Sequence, residues 1–185
     1  MDFPKIVTIY RIKNESRWIK QSLEAVSEIS DEIIILDDGS TDNTVEICKS
    51  FKTVVEIHQQ KNLTYDETRD KNILLQMALK RNPDFILTLD GDEILQSNVK
   101  NVLFEEICVL HPNVDVFDFQ ALFMWEQPRQ YRYDGTYTNT WWKRLLRIKN
   151  QPEDLQFENT KFPKNAHCPA IPHNAKGEEK SVRSK

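Results

Sequence analysis

Short apolar runs alternate with amphipathic stretches through the first half of the chain. Lys5 to Tyr10 reads as a buried strand. Ser16 to Ile29 then puts Trp18, Ile19, Leu23, Val26 and Ile29 on one helical stripe. Ile33 to Leu36 is a compact second strand, cut off at Asp37-Asp38-Gly39-Ser40. Ser40, Thr41 and Asp42 are all good N-caps for a helix over Thr44 to Phe51 that buries Val45, Cys48 and Phe51. Val54 to His58 is a third strand. Asp66 to Arg81 carries Ile73, Leu74, Met77 and Ala78 on one helical face and stops at Asn82-Pro83. Phe85 to Leu89 is a fourth strand, running straight into Asp90-Gly91-Asp92-Glu93. Ser97 heads a further helix with Val102, Leu103, Ile107 and Leu110 inside. Strand and helix in this rhythm predict an α/β fold, a mostly parallel sheet with helices on both faces.

The second half changes character. Val116 to Trp125 alternates, with Phe117, Phe119, Ala121, Phe123 and Trp125 on one face, as in a strand with one buried side. Asp134-Gly135 suits a hairpin turn between Tyr131–Tyr133 and Thr136–Thr138. Trp142 to Ile148 reads as another strand, and periodicity is lost from Asn150 onward. This half is a mixed, aromatic-rich segment. Trp125 is expected inside, with some of the rings from Tyr131 to Trp142 lining a groove. Residues 176–185, small, charged and polar, read as a flexible end.

Composition narrows the class. A chain of 185 residues is large enough for a real core, and four glycines exclude a collagen-like or linker chain. The net charge of −4 argues against a nucleic-acid partner. Cys48, Cys108 and Cys168 form no CxxC pair, which fits reduced thiols in a cytoplasmic protein. No apolar run approaches the ~18 residues that span a bilayer. Met1 to Ile9, with Asp2 and Lys5, does not read as a signal peptide. The expectation is a cytoplasmic protein, with peripheral membrane association as the alternative and no integral membrane segment.

The candidate chemistry lies where two strands end. Ligands of open parallel α/β sheets bind beyond the carboxyl ends of the strands. Here Leu36 is followed by Asp37-Asp38, and Leu89 by Asp90-Gly91-Asp92-Glu93. Either cluster alone is also what turns and helix caps look like. Both together, at the ends of two apolar strands, call for cations or hydrogen-bond donors. Asp90 and Asp92, with a glycine between them, can turn toward one hard cation, magnesium or manganese, and leave positions open for phosphate oxygens. An EF-hand is excluded for Asp38 to Asp42, because Asn43 stands at position six and Lys49 at position twelve. Gly39 and Gly91 stand apart, so no dinucleotide fingerprint exists.

Ile34 to Thr44, reading IILDDGSTDNT, resembles the signature of family 2 glycosyltransferases with the GT-A fold. Lys13-Asn14-Glu15 resembles that family's first nucleotide-side loop, and Asp84 to Glu93 its strand leading to the DxD motif. The resemblance is strong over residues 1–95 and weaker beyond, through Arg144-Leu145-Leu146-Arg147 and His167-Cys168-Pro169. It implies a donor-binding subdomain over residues 1–95 and an acceptor-side subdomain over 96–175, within one domain. It implies a nucleotide-sugar donor, UDP-linked, a divalent metal, and transfer with inversion to a glycan, lipid-linked or protein acceptor. Asp38 matches the carboxylate that receives the base N–H, and Asp37 supports its loop. Arg11 sits beside the nucleotide and contributes backbone. Arg69 matches the arginine facing the diphosphate, although Thr68-Arg69-Asp70-Lys71-Asn72 departs from the family's Ala-Arg-Asn-x-Gly. Asp90 touches the ribose or a metal-bound water, and Asp92 binds the metal.

Displacement at the sugar needs a base to take the acceptor's proton. In some relatives a His-Glu pair supplies it; here the pair is His167-Cys168. Glu126, Asp134 and Glu158 are the remaining carboxylate candidates, and His167 or His173 are candidates for an extra metal ligand. Asp90-x-Asp92 is also similar to the motif of haloacid-dehalogenase-type phosphatases. That family wants the motif near its N-terminus, with Thr or Val where Ile94 stands. A non-catalytic nucleotide-sugar-binding module is the other alternative.

Overall fold

The computed structural model describes residues 3–61, 65–125, 127–135, 137, 139–158 and 169–182. Four strands, β1 (Ile6–Ile12), β2 (Glu32–Asp37), β3 (Val54–Gln59) and β4 (Phe85–Asp90), alternate with helices α1 (Ile19–Val26), α2 (Thr44–Lys49) and α3 (Glu67–Leu79). After β4 come α4 (Val99–Phe104), its π-helical continuation Glu105–Leu110, and strands β5 (Val116–Ala121), β6 (Met124–Trp125), β7 (Gln127–Tyr131), β8 (Thr140–Arg147) and β9 (Glu179–Val182). The main sheet has the order β3-β2-β1-β4-β8-β5-β9, and β6 pairs β7 in a separate two-stranded sheet. β1 to β4 are mutually parallel, and β8 runs antiparallel to both β4 and β5. This is the Rossmann-like sheet the sequence predicts, extended on one side by a mixed segment.

Side-chain alternation along each strand builds two cores. Ile6, Tyr10 and Ile12 of β1 join Ile33, Ile35, Phe85 and Leu87 under α1, Cys48 of α2 and Leu103 of α4. Val7 and Ile9 point the other way, with Ile34, Leu36 and Ile86, onto Leu74, Leu75 and Ala78 of α3 and onto Leu155 and Phe157. β1 is therefore sandwiched on both faces, which explains a near-continuous apolar run instead of an alternating one. Among the described residues no helix is long and apolar enough to cross a membrane.

Five local expectations change. The buried stripe of α3 is Asp70, Lys71, Leu74, Leu75 and Ala78, rotated from the face through Ile73 and Met77, because Asp70 and Lys71 turn inward to polar partners. The helix expected from Ser97 starts at Val99 and widens into a π-helix that leaves Leu110 exposed. The strand expected to reach Trp125 breaks after Ala121; Trp125 lies in β6, half exposed instead of inside. Asp134-Gly135 does turn the chain, with Tyr137 N–H donating to the Asp134 carbonyl, but it joins strands of different sheets; Thr136 and Thr138 lie outside the described residues. Residues 179–182, expected within a flexible end, form β9 parallel to β5. An edge strand is held by backbone hydrogen bonds, and only Val182 of it is buried, so its sequence carries little apolar signal.

Candidate active site

The carboxyl ends of β1, β2 and β4 meet at one edge of the sheet. Arg11 of β1 lies level with Leu36 on one side and Asp90 on the other, and Ile12 with Asp37. Asp37 and Asp90 thus stand two strand spacings apart, about 10 Å, a span of nucleoside size. In the strand order β3-β2-β1-β4 the connections turn to opposite sides at β1 and β4, where a crevice opens beyond the strand ends.

The loops on the β2 side are stitched together through polar groups. Asn14 adopts φ 57°, a left-handed conformation asparagine tolerates. Its N–H donates to Ser40 Oγ and its Oδ1 accepts from Thr41 N–H, each at 2.8 Å. The N-cap of α2 is Asn43, one residue past the Ser40–Asp42 run expected to supply it, and its side chain makes no capping bond; Asp42 instead accepts from Ser16 N–H, Thr44 N–H and Thr44 Oγ1 and ties the loop together. Gly39, at φ 77°, makes the turn that aims Asp38 back over β1. Asp37 is buried and accepts from Ser40 N–H at 3.1 Å.

Asp38 is buried and faces two cations: Arg11 NH2 at 2.8 Å and Lys13 Nζ at 3.7 Å, both on Oδ2. The Arg11 side chain is thus engaged with Asp38. Its Nε donates to Asp70 Oδ2 at 2.9 Å, and its guanidinium lies 4.6 Å over the Tyr65 ring. Asp70 is fully buried and is the hub of this side. Its Oδ1 accepts from Gln60 Nε2 at 2.8 Å, Arg69 Nε at 2.9 Å and Arg69 NH2 at 2.7 Å. Burial alone would raise the Asp70 carboxyl; hydrogen bonds from Gln60, Arg69 and Arg11 outweigh it and hold it below the ordinary value. Because Asp70 fixes the Gln60 amide, Gln60 Oε1 is left buried without a partner among the described residues. An unused buried acceptor costs free energy unless a ligand N–H fills it.

The β4 side is acidic and anchored more tightly. Glu93 folds back to accept from Asp90 N–H at 3.1 Å, and the Glu93 carbonyl accepts from Ser22 Oγ, itself paired with the buried Tyr10 hydroxyl at 2.8 Å. Arg144 of β8 donates to Asp90 Oδ2 at 3.2 Å and makes a close ion pair with Glu93. Burial pushes Glu93 up to about 7, against the pull of Arg144 and with a further push from Asp90. Gly91 is packed so closely that a Cβ would lie 2.6 Å from Glu15 Cγ and 3.2 Å from Ile12 Cγ2.

The donor set suits a hard cation. Asp92 is exposed, and the Asp90 side chain is half exposed. Glu15 is raised by burial, then by Asp92, Asp90 and Asp42, the mark of an acidic pocket that a cation would relieve. Among the described residues no three His, Cys, Asp or Glu side chains converge as a closed metal cage. Asp90 and Asp92 would hold part of a coordination sphere and leave the rest to phosphate and water oxygens.

Residues 9–170 match the sequence model of the family described as Glycosyl transferase family 2. The chain belongs to glycosyltransferase family 2. It is 28% identical over 167 residues to an uncharacterised glycosyltransferase of Rickettsia prowazekii, covering 87% of this chain and 54% of that one. It is 28% identical over 143 residues to the SPbeta prophage-derived glycosyltransferase SunS of Bacillus subtilis, covering 72% of this chain and 32% of that one. The crystal structure of TarS from Staphylococcus aureus superimposes with a TM-score of 0.55 at 18% identity, covering 83% of this chain and 30% of that one. The chain thus spans about half the length of the Rickettsia relative and about a third of the other two. Family membership and the sheet order together displace the phosphatase comparison, since Asp90 ends the fourth strand of a family 2 array.

Other candidates from the sequence are scattered. Arg11, Asp37, Asp38 and Arg69 gather on the β2 side, and Asp90 and Asp92 on the β4 side. Asp134 is exposed and paired with Arg132 NH2 at 2.8 Å. Glu158 lies 3.1 Å from His173 Nε2, whose Nδ1 contacts the Gln156 carbonyl at 2.9 Å, so two separate candidates prove to be one pair. Glu126, His167 and Cys168 lie outside the described residues. Asp70 and Gln60 have no site role on sequence alone, and Lys13 and Arg144 lie in stretches the resemblance covers without a role of their own. The broken Ala-Arg-Asn-x-Gly pattern was the one available pointer to Asp70.

Proposed function

We propose that this chain binds a nucleoside-diphosphate sugar, UDP-linked, and transfers the sugar with inversion to a glycan, lipid-linked or protein acceptor, assisted by magnesium or manganese. One observation carries the reading: the buried Asp38 carboxylate with its two cations, and the acidic loop at Asp90-Gly91-Asp92, flank Arg11 at the same sheet edge. Uracil in a UDP donor has one free N–H, at N3, and either Asp38 or the unused Gln60 carbonyl would accept it. Arg69 and Lys13, on the same side, would face the phosphates. A divalent cation at Asp92 and Asp90 would stabilise charge growing on the leaving diphosphate. Glu158 is the preferred base. His173 holds it, and its segment is tied to α3 by the paired bonds between Asn72 and the Phe157 backbone, one turn past Arg69.

Release of UDP from UDP-sugars in the presence of Mn²⁺ tests this reading. The account expects turnover that Asp92→Ala abolishes. It also expects Glu158→Gln to lose transfer to an acceptor while still binding UDP. Tight UDP binding without turnover, for every sugar and acceptor tried, would favour the non-catalytic module.

A further inference from the structure

The β6–β7 hairpin projects from the main sheet with Met124, Trp125, Tyr131 and Tyr133 all more than half exposed. Of these rings, Trp125 is restrained by a neighbouring arginine. The Arg132 guanidinium lies 4.8 Å over the Trp125 ring and 3.9 Å over the Tyr137 ring, and its NH2 donates to Asp134 at 2.8 Å. An arginine held between two rings and a carboxylate restrains both rings, so a ligand meeting them finds part of the ordering cost already met.

The same contacts continue inward as a ladder. Tyr137 packs edge-on against Phe123 at 5.0 Å, and Phe123 against Trp142 at 5.5 Å. Trp142 then carries Arg144 4.8 Å over its ring, and Arg144 pairs with Asp90 and Glu93. A series of edge-to-face rings and guanidinium groups over rings therefore joins the exposed hairpin to the acidic loop of the candidate metal site.

Around Trp125 and Tyr131 an open groove of about 660 Å³ is lined also by Gln130, Arg132, Tyr133 and Asp134. Ring faces alternate there with an amide, a guanidinium and a carboxylate. That mixture matches a carbohydrate, which presents apolar C–H faces and a rim of hydroxyls that both donate and accept. Trp, Tyr and Arg also suit a membrane interface, but Asp134 puts a carboxylate among these rings, which an anionic lipid surface repels.

We propose that this hairpin is the acceptor platform and that the acceptor is a saccharide, stacked on Trp125 and Tyr131 and hydrogen-bonded by Arg132, Asp134 and Gln130. The proposal deepens the transferase reading above and rests on it. Its test is binding of chitotetraose, cellotetraose and maltotetraose, followed by saturation-transfer NMR and tryptophan fluorescence, beside vesicles of phosphatidylcholine with and without phosphatidylglycerol.

Saturable binding of at least one oligosaccharide is expected, weakened about tenfold or more by Trp125→Ala and by Tyr131→Ala. Stabilisation of each variant by UDP and Mn²⁺ serves as the separate readout of fold and donor site. No oligosaccharide binding, binding unchanged in both variants, or association with vesicles instead would overturn the platform. Loss of the UDP response in the parent protein would overturn the donor reading, not this one.

Discussion

Replacing Asp70 by alanine should cost this protein far more than its place on a polar-looking helix suggests. Its carboxylate is fully buried and accepts from Arg11, Gln60 and both nitrogens of the Arg69 fork. Removing one partner of a buried ion pair typically costs 3–5 kcal/mol, because the other charge is left without compensation. Arg69 is one-third exposed and recovers water, so the expectation sits at the lower end, about 3 kcal/mol. At this chain length that lowers the melting temperature by about 6–12 °C.

Asp70→Asn keeps the shape and one acceptor oxygen but loses the charge, so its cost should be about 1–2 kcal/mol. Urea unfolding of the three proteins at pH 7 measures both differences. The folded carboxyl lies below its ordinary value, so Asp70 stabilises above about pH 4 and its contribution fades as pH falls through the folded value. The gap between parent and Asp70→Ala should therefore close on acidification. An Asp70→Ala protein within about 0.5 kcal/mol of the parent at pH 7 would refute the hub.

Gly91→Ala should destabilise by about 1–3 kcal/mol, since its Cβ would collide with Glu15 and crowd Ile12. Thermal melts check the stability, and Mn²⁺ titration followed by electron paramagnetic resonance should show weaker binding as the Asp90–Asp92 loop shifts. Without divalent cation, stability should fall as pH rises from about 4.5 to about 7. Folded Glu93 keeps its proton over that window and the unfolded chain does not. Glu93→Gln should flatten this dependence in pH-resolved urea melts; an unchanged slope would show that Glu93 ionises normally.

β1, β2 and β4 were legible because they are brief apolar runs buried on both faces, with few polar positions to disguise them, and because β2 and β4 end in Asp-Gly turns. The acidic loops were legible for the same reason, as carboxylates at strand ends. Asp70 was not: on sequence it is one charge among many on α3, and its partners Arg11 and Gln60 lie 59 and 10 residues away. The rotated face of α3 follows from that, since Asp70 and Lys71 turn inward to polar partners that the period of its apolar residues does not register. Trp125 was read from alternation alone, which a break after Ala121 resets. Nor does sequence show that Glu158 meets His173, because residues 150–158 and 169–175 are irregular and held by side-chain to backbone bonds such as Asn174 to Asp154.

The claim that Asp38 and Asp92 serve one nucleotide and its metal is tested most directly by calorimetric titration with UDP, with and without Mn²⁺. The account predicts binding that Mn²⁺ strengthens, that Asp92→Ala reduces to the metal-free level, and that Asp38→Ala weakens whether or not metal is present. No UDP binding by the folded protein, or an Mn²⁺ effect that survives Asp92→Ala, would contradict it.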